Sequence, residues 1–151
     1  MAGAVLDGPF GRLRITEAES RLTRIRFGGA AAAGEPTPLL AEALRQFRDY
    51  FAGRREGFDL PLAPAEGLDE AFRAALLAIP FGETRTYGDL AKELGESPQA
   101  IGRLCGANPL PILVPCHRVL AQNGLGGYSG GAEIETKVAL LKHEGAASLL
   151  I

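Results

Sequence analysis

A thiol and an imidazole stand side by side at Cys116-His117, inside the apolar run Pro111-Ile112-Leu113-Val114-Pro115-Cys116-His117-Arg118-Val119-Leu120. A cysteine with its ordinary pKa of about 8.5 is only a few per cent ionised near neutrality, so as a nucleophile it needs a base. Pro111 and Pro115 exclude a helix here, and the run reads as extended. Neighbours in an extended chain point to opposite faces, so Cys116 and His117 would meet only through a water or at a bend. An imidazole base in turn needs a partner that fixes its tautomer. By residue type, Glu144 is the best-placed carboxylate, next to His143. Plainer readings stand beside each of these. Most free cysteines are small buried hydrophobes. His143 can simply sit at a helix C-terminus, with Glu144 in solvent. Cys105, among apolar neighbours, reads as packing.

The chain that must hold these groups has 151 residues, 46% hydrophobic and 23% charged, which suits one globular domain or two small ones. Two cysteines and two histidines, none at C-x-x-C spacing, predict no zinc site. Residues 1–70 contain neither Cys nor His. No apolar stretch is long enough to span a membrane, and the first ten residues lack the pattern of a secretory signal. A cytoplasmic protein with reduced thiols is the expectation. The net charge of −2 and pI of about 5.7 argue against a strongly electrostatic nucleic-acid binder.

Residues 10–27 alternate as a hairpin, with Leu13 and Ile15, then Thr23, Ile25 and Phe27, on one face, joined by the turn Glu17-Ala18-Glu19-Ser20. Thr37-Pro38 opens a helix with the apolar stripe Leu39, Leu40, Ala43, Leu44, Phe47, Tyr50 and Phe51, ended by Gly53. The Gly- and Pro-rich residues 53–67 read as a linker. A helix over about 69–79 follows, burying Phe72, Leu76 and Ile79 and stopped by Pro80. Thr86-Tyr87-Gly88-Asp89 resembles a capping box ahead of Leu90, Ala91 and Leu94. Gly95 breaks that helix, and Ser97-Pro98 starts another carrying Ala100, Ile101 and Leu104. Two short helices at such a corner make a helix-turn-helix, a geometry that many helical cores use without touching DNA. A last helix spans residues 132–143, with Ile134, Val138, Leu141 and Leu140 on its buried side. The fold class is α+β: a small N-terminal α/β domain over residues 1–65, then a mostly helical domain over 66–151.

Pro115-Cys116-His117-Arg118-Val119 resembles the active-site signature of the O6-alkylguanine-DNA alkyltransferases. The likeness extends to residues 80–87, to Asn108-Pro109-Leu110-Pro111-Ile112-Leu113, to Tyr128-Ser129-Gly130-Gly131 and to His143-Glu144-Gly145. It covers about residues 70–146. For the first domain the family implies an RNase H-like α/β fold, and for the second a winged-helix-like helix-turn-helix.

The resemblance implies single-turnover repair: the alkyl group on O6 of guanine moves to Cys116 with no cofactor, and the zinc seen in the first domain of some relatives finds no Cys or His ligand in residues 1–70. It implies His117 as base through a bridging water, Glu144 orienting it, and Asn108 bracing the turn ahead of the acceptor. Tyr87 would donate a proton to the leaving base and push the target phosphate. The carbonyls of Cys116 and Val119 would accept from the guanine amino group, Ser129 would donate to O6, and Tyr128 would wall a pocket that Gly130 and its neighbours let the base approach. The partner is double-stranded DNA containing O6-alkylguanine, entered from the minor groove with the nucleotide flipped out, by a monomer without membrane contact. Ala100 and Gly102, small residues on the second helix of the corner, would permit close approach. Gln99 stands where the family has an arginine that fills the gap left by the flipped base, which predicts weaker binding or slower flipping unless Arg103 or Arg85 compensates. Residues 81–106 carry a net charge of −1, which predicts a shallow salt dependence. Three other readings stay open: a lesion sensor without transfer, a helix-turn-helix regulator, and a thiol hydrolase.

Overall fold

A computed structural model of the chain describes residues 2–30, 34–121 and 133–146. It divides into two compact units, Met1–Ala63 and Pro64–Ile151.

The first unit is an antiparallel sheet of β1 (Ala2–Gly8), β2 (Gly11–Ala18) and β3 (Arg21–Phe27), in that order, with one helix, α1 (Pro38–Phe51). The hairpin expected over residues 10–27 is β2 and β3. Its turn is tighter than the expected four residues, with Glu19 and Ser20 both at positive φ, 52° and 62°. That conformation suits a two-residue hairpin loop. Strand β1 was not anticipated. Leu13 and Ile15 are buried, as alternation requires, but in β3 the buried pair is Leu22 and Ile25, three residues apart. A bulge makes this possible: Thr16 faces Arg24 and Glu17 faces Leu22, leaving Thr23 as the extra residue.

Helix α1 begins as its sequence dictates. Thr37 caps it by accepting from the Leu40 N–H at 3.1 Å, and Pro38 occupies the first turn. Leu40, Ala43, Leu44, Phe47 and Tyr50 are buried, whereas Leu39 and Phe51 lie at the edge of the stripe. The expected linker 53–67 needs correction, because residues 59–63 belong to this unit and Gly67 already opens the next helix. Leu22 N–H donates to Pro61 O at 2.9 Å and Ala63 N–H to Leu22 O at 2.8 Å, so the segment runs beside β3. Gln46, 2% exposed, ties it to α1 by bonding the Asp59 backbone at both ends of its amide.

The second unit packs α2 (Gly67–Leu77) against α3 (Tyr87–Leu94) and α4 (Pro98–Gly106), with α5 (Glu133–His143) against the segment between them. Thr86 and Asp89 form the reciprocal capping box of α3, both bonds at 3.0 Å. Gly95 ends α3 in the left-handed conformation, φ 68°, and Ser97 caps α4 through the Ala100 N–H. The helix-turn-helix is therefore present as expected.

Candidate functional site

Every residue from Pro111 to Leu120 is buried, but the run is not the extended segment its prolines suggest. It folds on itself. Val114 N–H donates back to Leu110 O at 2.9 Å, and Ile112 sits at φ 75°. For a β-branched residue that is a strained backbone, of a kind that costs about 1–3 kcal/mol and persists only where the surroundings hold it. Asn108 does the holding. Its Nδ2 donates to Val114 O at 2.8 Å and its Oδ1 accepts from Leu110 N–H at 3.1 Å, which fixes both ends of the loop. The chain then makes a single 3-10 turn, Cys116–Arg118, before strand β5 (Val119–Leu120). Of the two alternatives for the Cys116-His117 dipeptide, a water or a bend, the backbone does supply a bend in this turn.

Strand β5 pairs in parallel with β4 (Arg85–Thr86), Val119 opposite Arg85 and Leu120 opposite Thr86. Because β4 runs directly into α3, this ladder ties the cysteine turn to the first residue of the corner's first helix, Tyr87. Pro80 and Gly82 lead into it. Gly82 has φ 86°, where other side chains are strained, and a Cβ there would come 3.1 Å from the Glu144 carbonyl, so backbone and close approach both favour glycine.

Cys116 and His117 are both fully buried. His117 Nε2 lies 2.8 Å from Glu144 Oε2. The plainer reading of Glu144 as a solvated neighbour of His143 is overturned: Glu144 is 4% exposed, and His143 turns its ring to Phe81 instead. Arg118 completes a hydrogen-bonded trio. Its Nε donates to Glu144 Oε1 at 2.8 Å, its Nη2 to Oε2 at 3.0 Å and its Nη1 to Ile79 O at 2.8 Å. Burial alone would raise the Glu144 carboxyl, but the hydrogen bonds from His117 and Arg118 outweigh it and hold it down at about 2. Burial pushes the His117 imidazole below its ordinary value, and this outweighs the opposing pull of Glu144. The pair is therefore a neutral imidazole beside a carboxylate. Its Nε2 carries the hydrogen and donates to Glu144, which leaves the basic lone pair on Nδ1.

Lys137 was not anticipated. Its side chain is fully buried, its Nζ donates to Val119 O at 2.7 Å, and it lies 5.7 Å over the Tyr87 ring. Burial lowers its pKa to about 8, against the opposing pull of the Cys105 and Cys116 sulfurs, so at neutrality it is a cation near both thiols. The sequence did hold a signal. Lys137, Leu140, Leu141 and Glu144 repeat at helical spacing, and a lysine inside an apolar stripe is rarely accidental. Among the side chains of α5 that are described, Thr136, Lys137, Leu140 and Leu141 are buried, while Val138, expected inside, is half-buried; the side chain of Ile134 lies outside the described residues. Arg118, a cation within ten buried residues, was a second overlooked signal. Cys105 behaves as expected of packing: burial pushes its thiol up to about 12, where it is inert.

On α4, Gln99 and Arg103 are exposed and Ala100 and Gly102 half-buried, and a Cβ at Gly102 would meet nothing within 4 Å. This face has room for a ligand. Val119, fully buried, presents a carbonyl that already accepts from Lys137 and keeps its second lone pair. Tyr128, Ser129 and Gly130 lie outside the described residues. Arg85 is engaged with the Thr84 carbonyl at 2.8 Å and with Glu83.

Comparison with known proteins places both units. Residues 1–64 match the family described as 6-O-methylguanine DNA methyltransferase, ribonuclease-like domain, and residues 68–146 its DNA binding domain. The methylated-DNA–protein-cysteine methyltransferase of Methanosarcina acetivorans is 39% identical over 155 residues, covering 95% of this chain and 97% of its own. The constitutive enzyme of the same name from Bacillus subtilis is 39% identical, covering 91% and 92%. Among solved structures, Mycobacterium tuberculosis OGT in complex with DNA superposes with a TM-score of 0.83 at 36% identity, covering 97% of this chain and 94% of that one.

Proposed function

The chain belongs to the 6-O-methylguanine DNA methyltransferase family, and on that premise we propose how its residues divide the work of repairing alkylated guanine in DNA. The reaction is a direct reversal: a methyl or other alkyl group leaves O6 of guanine and joins the protein's own cysteine. Cys116 is the acceptor. A carbon–sulfur bond forms as the carbon–O6 bond breaks, and the product is a thioether that ordinary cellular thiols do not reverse, so each molecule acts once. A soft sulfur suits displacement at saturated carbon better than a hydroxyl does.

The thiol proton passes to His117 Nδ1 through a bridging water, and Glu144 holds the imidazole in the tautomer that can receive it. The observation that carries this reading is the buried 2.8 Å bond between His117 and Glu144, one residue from Cys116. The electron pair of the broken bond goes to the guanine, which leaves as an anion. Tyr87 supplies its proton. Lys137, positive near the sulfur, favours the thiolate over the thiol. Asn108 keeps the loop before Cys116 in its strained form. The nucleotide reaches this site flipped out of the duplex, with α3 and α4 in the minor groove, Ala100 and Gly102 against the backbone, and Gln99 and Arg103 at the gap. Tyr128, Ser129 and Gly130 belong to the wall of the base pocket, and the second lone pair of the Val119 carbonyl is open to the guanine amino group. The cytoplasm, where thiols remain reduced, suits this chemistry. The protein works as a monomer.

Intact-mass measurement after incubation with a duplex bearing one O6-methylguanine tests the reading. The expected result is the gain of one methyl group, abolished in Cys116→Ser. DNA binding without mass gain would mark a lesion sensor, and neither binding nor gain would overturn the reading altogether.

A further inference from the structure

The arginines of this protein are unevenly placed. Residues 1–63 carry nine arginines, no lysine and eight carboxylates, a net of +1, whereas residues 64–151 carry seven bases against ten acids, a net of −3. The unit that holds Cys116 and the helix-turn-helix thus has the same sign as DNA. The excess positive charge is displayed on the sheet. On its outward face, Arg14 of β2 lies directly opposite Arg26 of β3, and Arg24 lies opposite Thr16. Like charges at opposed positions destabilise a sheet. Packing does not require them, because the inward residues Leu13, Ile15, Leu22 and Ile25 supply the core.

Arg14, Thr16, Thr23, Arg24 and Arg26 line a concavity of about 420 Å³. The bulged residue Thr23 joins this face and donates to the Thr16 carbonyl at 3.3 Å. Arg14 is anchored: it donates to the Ala30 carbonyl and lies against Gly29, where a Cβ would come 3.2 Å from its Nε. Arg12, next along β2, is neutralised by Asp7 at 2.7 Å. Arg24 and Arg26 are exposed, and among the described residues no carboxylate pairs with either. One fixed guanidinium and two in solvent, beside the Thr16 hydroxyl, form a donor set matched to phosphate oxygens. Arg24 and Arg26 are two residues apart, about 7 Å along the strand, which suits successive phosphates better than a single small anion. Resting on the DNA-repair reading above, we infer that this face is an accessory surface for the sugar-phosphate backbone of DNA, independent of base sequence.

The test is the salt dependence of binding to a duplex carrying one O6-methylguanine. Each lost phosphate contact lowers the slope of log affinity against log salt by about 0.9, so Arg24→Gln/Arg26→Gln lowers it by about 1.8. Methyl transfer from the free O6-methylguanine nucleoside is unchanged in that variant, and its melting temperature is equal or higher, since a repulsive pair is gone. Arg24→Lys/Arg26→Lys keeps both charges and the wild-type slope. A glutamine pair within about 0.5 of the wild-type slope overturns the inference. So does an equal fall in the glutamine and lysine pairs, which would track structure and not charge. A wild-type protein that shows the full slope but takes no methyl on Cys116 overturns the proposed function and leaves this surface standing.

Discussion

Replacing Glu144 with glutamine preserves the side chain's shape and removes its charge. Arg118 then keeps the Ile79 carbonyl and one neutral amide oxygen in place of two charged ones, and His117 faces an amide in place of a carboxylate. Breaking one partner out of a buried ion pair costs about 3–5 kcal/mol. A second route gives a similar figure. The carboxyl is held at about 2, against an ordinary 4.5; at about 1.4 kcal/mol per tenfold, this contributes about 3 kcal/mol at neutral pH. The sign follows from the folded value lying below the unfolded one. The stability is complete above the unfolded value and drains away as pH falls towards 2, to less than half at pH 3 and little at pH 2. Urea unfolding of wild type and Glu144→Gln, followed by far-ultraviolet circular dichroism, therefore shows a gap of about 3 kcal/mol at pH 7 that shrinks by at least half at pH 3. A gap below about 1 kcal/mol at pH 7 would refute the claim that this carboxylate organises the site. A gap of equal size at both pH values would show that the loss is one of packing and not of charge.

Lys137→Met removes the cation near Cys116 and leaves an apolar side chain of similar length. The melting temperature holds or rises, and single-turnover methyl transfer slows by about tenfold at pH 7. Because the lysine itself loses its proton near pH 8, that deficit closes above pH 8, and a deficit that persists unchanged there would exclude an electrostatic role. Methylated protein melts below the unreacted form, because Cys116 is fully buried and an extra methyl in a closed site costs about 1–3 kcal/mol. Equal midpoints before and after reaction would refute it.

Local signals in the sequence were read well because local physics decides them. Thr37-Pro38, Thr86 with Asp89, Gly95 and Ser97-Pro98 each set a helix end through backbone groups within three or four residues. What escaped depends on distant partners. Strand β1 is held by β2, and residues 61–63 by Leu22, across gaps that periodicity does not see. The run 111–120 reads as a strand by composition, yet Asn108 folds it into a loop and a turn. At the site, the Cys116-His117 dipeptide was legible from its residue types. The choice between His143 and His117 as Glu144's partner was not legible from spacing and came only with the family resemblance. Arg118 and Lys137 were hidden by the habit of treating charged residues as surface, although both sit inside apolar patterns.

The bulge in β3 marks where this hairpin can lose a residue without turning over. Deleting Thr23 would leave Leu22 and Ile25 two residues apart, both still facing the core, and the ladder from Arg21 to Phe27 would close into regular pairing. The guanidiniums of Arg24 and Arg26 would stay on the outer side. Relatives of this protein can be expected to show one-residue gaps between Leu22 and Ile25 more readily than elsewhere in the hairpin.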